Sequence, residues 1–150
     1  MALEGWQKAE SPFHAGERAI QEKLGGRDRT ERQGRRMIRE FLPEQHQAFY
    51  RQLSYLLVGT VDEADRPWAS ILVGTPGFIT APNDRTLRIN AHPLYGAPLT
   101  QQLTVGNDVG LLGIELHTRR RNRLNGVISR VEEAGFEVQV GQAFGNCPQY

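Results

Sequence analysis

The densest concentration of usable chemistry in the chain is Thr118-Arg119-Arg120-Arg121-Asn122-Arg123-Leu124-Asn125-Gly126. Four arginines so close together, beside a strongly apolar segment, repel one another unless an anion lies near or water screens them. Guanidinium groups grip phosphate through paired hydrogen bonds, a geometry that lysine does not reproduce. Asn122 and Asn125 add neutral donors and acceptors to the same neighbourhood. On a strand, Arg119, Arg121 and Arg123 share one face, and Arg120 with Asn122 the other. The stretch reads as one wall of a phosphate-bearing cofactor site, as a solvated positive rim, or as a contact for an RNA backbone. A net charge of +1 argues against the last, because any basic function must be local.

Two further constellations could hold a ligand. In Arg66-Pro67-Trp68-Ala69-Ser70 a strand opens on proline, which cannot donate to a ladder. Backbone groups left free on one side can then pair with the edge of a heterocycle, and Trp68 offers a flat face with Ser70 two residues on. A core tryptophan capping a barrel end is the plainer alternative. Gly145-Asn146-Cys147-Pro148-Gln149-Tyr150 suits a sharp exit from a strand, with Asn146 and Gln149 as two-way hydrogen-bonding groups. Cys147 has no local partner that would make it a nucleophile, and a lone cysteine excludes an intrachain disulfide. His14, His46, His92 and His117 show no metal-ligand spacing, so no metal site is expected. No catalytic acid, base or nucleophile can be picked out.

The elements that must position these residues change character near Tyr55. Before it the pattern is helical: Glu17–Leu24 ends at Gly25-Gly26, and Thr30 with Gln33 has the form of a capping box. Met37, Ile38 and Phe41 then make a narrow apolar stripe, and Pro43 opens a third helix carrying Phe49, Tyr50 and Leu53. From Tyr55 the chain reads as short strands: 55–61 and 67–73 as a hairpin, then 78–79, 87–91, 109–116, 127–131 and 136–144. A short helix over 98–103 interrupts them. Strands at this spacing, with no long helix alternating, predict an antiparallel barrel, and no glycine-rich dinucleotide loop is present.

With 150 residues, 39% hydrophobic and 23% charged, the chain suits one ordinary domain, a helical segment at 1–53 packing on the barrel or on a partner subunit, and a barrel at 54–150. The polar start and the lack of an apolar run near ~20 residues lead us to expect a cytoplasmic protein with no membrane association.

The order of elements, together with Arg66-Pro67-Trp68-Ala69-Ser70, Leu111-Leu112-Gly113-Ile114-Glu115-Leu116, the arginine stretch and Gly145–Tyr150, resembles the pyridoxamine 5'-phosphate oxidase-like FMN-binding split-barrel family. It is most similar to that family's flavin-nucleotide-binding branch, in some members of which the barrel precedes a ferredoxin-reductase-like module. The resemblance implies a mainly β fold, a six-stranded antiparallel split barrel with N-terminal helices. It implies a homodimer with FMN at the subunit interface. Carried over, Pro67, Trp68, Ala69 and Ser70 run along the isoalloxazine ring, and Asn90 and His92 face the ribityl or phosphate end. Arg119, Arg120 and Arg121 then serve the phosphate, and Asn146 and Gln149 the ring or the partner subunit. Where the authentic oxidases carry a Ser/Thr-plus-Lys phosphate pattern, this chain has Ala91-His92-Pro93-Leu94-Tyr95-Gly96-Ala97-Pro98, so its phosphate grip is expected to differ. The expected activity is FMN-dependent electron transfer from a reduced nicotinamide or other donor. The alternatives are a non-catalytic flavin-binding or electron-delivery module, and a split barrel holding haem or a deazaflavin.

Overall fold

A computed structural model describes residues 5–146. Three helices, α1 (Ala15–Lys23), α2 (Arg27–Met37) and α3 (Glu44–Arg51), precede the first strand. The strands are β1 (Tyr55–Val61), β2 (Pro67–Val73), β3 (Ile79–Asn83), β4 (Thr86–Ile89), β5 (Asp108–Glu115), β6 (Arg120–Glu132) and β7 (Gly135–Asn146). A one-turn helix, α4 (Leu99–Gln102), sits between β4 and β5. No helix is long and apolar enough to cross a membrane.

The helical quarter differs from its sequence pattern for local reasons. The capping box belongs to α1, not to Thr30 and Gln33: His14 Nδ1 accepts from the Gly16 and Glu17 amides, and Glu17 accepts from the His14 amide. Gly25, at φ +69°, closes α1, and Gly26 passes directly into α2, so Thr30 is already helical. The helix stops at Met37; Ile38 is extended, and Arg39 forms a bridge to Ala143 on β7. Ile38 is therefore buried as a strand-like residue rather than as part of a helical stripe. Glu31 on α2 ties that helix to the segment before α1, accepting from Ser11 as well as from Arg27 and Arg35 of its own helix, and Arg27 also donates to Gln21 on α1. Burial works to raise that carboxyl, and these hydrogen bonds outweigh it, holding the group below its ordinary value.

All seven strands form one antiparallel sheet in the order β2-β1-β5-β6-β7-β4-β3. The six strands that the family resemblance implies fall one short: β3 and β4 form a hairpin around Asp84-Arg85, at the turn the sequence places between strands at 78–79 and 87–91. The two edges, β2 and β3, do not pair, so the sheet curls without closing. Its inner face is apolar and alternates as a pleated sheet must: Leu56 and Val58 on β1, Val109 and Leu111 on β5, Leu124 on β6, Val138 on β7. The arginine stretch is itself strand, not a connection, because Asn122 and Leu124 alternate into the interior and pair with Gly113 and Leu111 on β5.

Helix α3 plugs one end of this core with Phe49, Tyr50 and Leu53. Its seat is Gly113 on β5, where an added Cβ would lie 2.7 Å from the Phe49 ring and 2.8 Å from Leu53. At the other end Leu99 of α4 is fully buried, and Gln102 accepts from the Thr60 hydroxyl of β1 in a buried side-chain pair.

Candidate functional site

Strand β2 is an edge strand, so on its outer side the backbone N–H and C=O groups of alternate residues have no strand to pair with. It carries Pro67, Trp68 and Ala69 exposed and Ser70 half-buried. The β1–β2 turn fixes this strand's start. Asp62 Oδ1 accepts from the Ala64 and Arg66 amides at 2.9 and 3.0 Å. Asp62 Oδ2 accepts from the Trp68 indole at 2.9 Å and from Arg66 Nε at 2.8 Å, and the Arg66 guanidinium lies 5.9 Å from the Trp68 ring. The indole hydrogen bond, followed by the Arg66 amide, holds the Asp62 carboxyl far below the usual carboxylate range. Asp62 is therefore an anion that sets the angle of Trp68.

Trp68 is among the residues lining two cavities. One, of about 580 Å³, lies on the outer face of the sheet. Its floor follows the strand register Gly59–Gly110–Asn125–Gln142 across β1, β5, β6 and β7. These two glycines leave open backbone, since a Cβ built on either meets nothing nearer than 3.5 Å. Val61, Pro67, Trp68, Asp108 and Val127 wall one side of this trough. The second cavity, of about 600 Å³, lies between Asp62, Arg66 and Trp68 and the loop from Pro93 to Pro98. In that loop Leu94 is half exposed and Tyr95 wholly exposed.

The remaining expected residues are dispersed. Asn90 and His92 are exposed at the end of β4, and the Asn90 amide is spent on Phe78 O at 2.8 Å. Arg119 occupies the β5–β6 turn at φ +60° and is exposed. Arg120 turns towards α3, donating to Gln45 O at 3.2 Å with its guanidinium 4.9 Å from the Phe49 ring. Arg121 is half-buried between Ile114 and Asn146 in the ladder. Arg123 faces outward into a different cleft, beneath α2. The four guanidinium groups do not converge on one point. Arg120 and Arg121 pair with Glu115 and Ile114, five and four residues along β5 from Gly110, so their backbones sit roughly 13–17 Å down the ladder from Gly110 in the trough's floor. Asn146 is described only as backbone, paired with Arg121, while Cys147 and Gln149 lie outside the described residues.

Sequence reasoning passed over Asp62, Gly59, Gly110 and Tyr95. Asp62 was legible as a turn residue, but its grip on Trp68 depends on a hairpin register that places the indole over its carboxylate. The glycine row exists only once three strands are aligned. Among the described residues no group of three or more His, Cys, Asp or Glu could hold a metal ion. His46 is buried on α3, and burial, then Arg39 and Arg120, push its imidazole down to about 4.

No protein-family model matches this sequence, and no curated protein does. Among solved structures, HupZ of Group A Streptococcus is similar, with a TM-score of 0.53 over 70% of this chain and 99% of that one. The two are 11% identical, so the likeness is one of fold alone.

Proposed function

We propose that this split barrel is an FMN-binding flavoprotein, an oxidoreductase domain that works as a homodimer with the flavin between subunits. The observation that carries the reading is the position of Trp68: it stands on an edge strand, is locked by Asp62, and is among the residues lining both cavities. A flat tricyclic ring needs an apolar floor without projecting side chains and a row of fixed backbone donors along one edge. Gly59 and Gly110 supply such a floor, and the free side of β2 supplies such a row. When bound, FMN supplies hydride or single-electron chemistry.

This chain's own residues orient the ring and keep water from one face. Arg66 is the one arginine lining the cavity beside Trp68, and it carries the local positive charge suited to an anionic tail or a reduced ring. Arg119, Arg120 and Arg121, at the far end of the β5–β6 ladder, stand away from a nucleotide held at β2 of the same chain. In the dimer they act from the partner protomer. The electrons come from a reduced nicotinamide, directly or through a ferredoxin-reductase-like partner.

The test is an absorbance spectrum of freshly purified protein between about 300 and 600 nm, followed by titration with FMN. Flavin bands that bleach with NADH or NADPH and return in air support the oxidoreductase. Bound flavin without bleaching leaves a flavin-binding module, and a Soret band assigns the cleft to haem. Colourless protein that quenches no added FMN fluorescence overturns the proposal.

A further inference from the structure

A second cleft, of about 380 Å³, lies between the N-terminal helices and the outer face of β6 and β7. Its size falls in the range of small-molecule sites. Phe13, Met37, Ile38 and Phe144 give it apolar walls. Arg123 stands at its base between Leu112 and Phe144, its neighbours across the ladder. Like its sequence neighbours it is a guanidinium in a basic stretch. Unlike Arg120, it makes no hydrogen bond, ion pair or ring contact with another described residue.

Most of the other polar groups of the cleft are already committed, the Thr30 hydroxyl on α2 excepted. Glu17, the lone carboxylate on its wall, accepts from the His14 amide at 2.9 Å and sits 3.6 Å from His14 Nε2. Gln142 donates to Pro12 O at 2.7 Å and accepts from Asn125 at 3.3 Å, so roof and floor are pinned to each other. Gln33 donates only to the Met37 sulfur, at 3.6 Å, a weak bond that a better acceptor would displace. One uncommitted cation, one redeployable amide donor, the Thr30 hydroxyl and apolar walls define what fits.

We infer that the cleft between α2 and β6–β7 binds a small carboxylic acid with an aromatic or short aliphatic body, its carboxylate held by Arg123. A guanidinium fork matches the two oxygens of a carboxylate. A phosphate dianion is the poorer match, because Glu17 adds negative charge to the same wall and no second arginine lines it. The site shares Asn125 and Gln142 with the trough near Trp68 but does not include Trp68, so it stands whether or not that trough holds flavin.

The experiment is fluorine NMR of the full chain with 4-fluorobenzoate, and with neutral 4-fluorobenzamide as its isostere. Saturable line broadening by the acid, with the amide binding at least about tenfold more weakly, is the expected result, since losing one charge-assisted contact is worth about 1.5–3 kcal/mol. Arg123→Gln should abolish binding of the acid, and Arg36→Gln, an exposed charge on α2 outside the cleft, should leave it unchanged. Met37→Trp fills the cleft from a partly exposed position and should also block the acid. Circular dichroism on each variant confirms the fold. Equal binding of acid and amide, binding that survives Arg123→Gln in folded protein, or no saturable binding at all overturns the inference. Trp68→Ala separates the two sites: it should weaken FMN and leave 4-fluorobenzoate binding intact.

Discussion

At the scale of single residues, the buried histidine gives the sharpest pH signature. His46 has an imidazole pushed down to about 4, first by burial and then by the charges of Arg39 and Arg120. In the unfolded chain the same group titrates near 6.5. Between those two values the unfolded state takes up a proton that the folded state refuses, so stability falls as pH drops from about 6.5 towards 4. Above 6.5 both states are neutral and this contribution is flat. Thermal unfolding across that window should show a declining midpoint in the native protein. His46→Asn, close in size and uncharged throughout, should flatten that decline; a variant with an unchanged slope would remove His46 as its source. Asp62 works with the opposite sign, its depressed carboxyl stabilising the turn at neutral pH and losing that contribution as pH falls below the ordinary carboxylate range. Its main role is geometric, because the same oxygen holds both the Trp68 indole and Arg66 Nε.

At the scale of elements, β2 and α3 make separable predictions. On the edge strand, Trp68→Ala removes one aromatic contact, worth about 0.5–1.5 kcal/mol beyond its area, so FMN affinity should fall roughly two- to tenfold. Asp62→Ala should produce a smaller loss by freeing the indole, read as increased mobility of Trp68 in fluorescence anisotropy. Helix α3 depends on its seat. Gly113→Ala would press a methyl group into Phe49, Leu53 and Tyr50, and overpacking of this kind costs about 1–3 kcal/mol, measurable by urea unfolding without loss of the β spectrum. These elements also show what the sequence could and could not reveal. The hairpin from Tyr55 to Val73 was legible because proline, a charged turn and alternating apolar residues all agree on it. The arginine stretch was harder, because repulsion suggests a loop while strand order makes it a ladder rung with buried Asn122 and Leu124. The register that aligns Gly59 with Gly110, and so empties the trough, is a long-range property no local pattern encodes.

At the scale of the whole molecule, the outer face of the sheet is the unresolved account. A pleated sheet with one face in the core ordinarily turns polar residues to water. Here Val61, Ile71, Val73 and Val127 are each more than a third exposed on that face, with Leu57 and Leu112 half-buried beside them. Contiguous apolar surface of this kind marks an interaction site. The proposed homodimer uses it, covering the trough and carrying the partner's arginine cluster towards β2. Light scattering should then give twice the chain mass of 16.9 kDa. Ile71→Glu places a carboxylate where the partner sheet must lie, at a position with room in the monomer because its side chain is already 40% exposed. The folded monomer should therefore survive while the dimer does not, since an unpaired buried charge costs several kcal/mol. FMN affinity should collapse with the dimer, because half of the site's charge then stays in solution. A native protein that binds FMN as a monomer would confine the flavin to one chain and leave Arg119, Arg120 and Arg121 without a part in holding it.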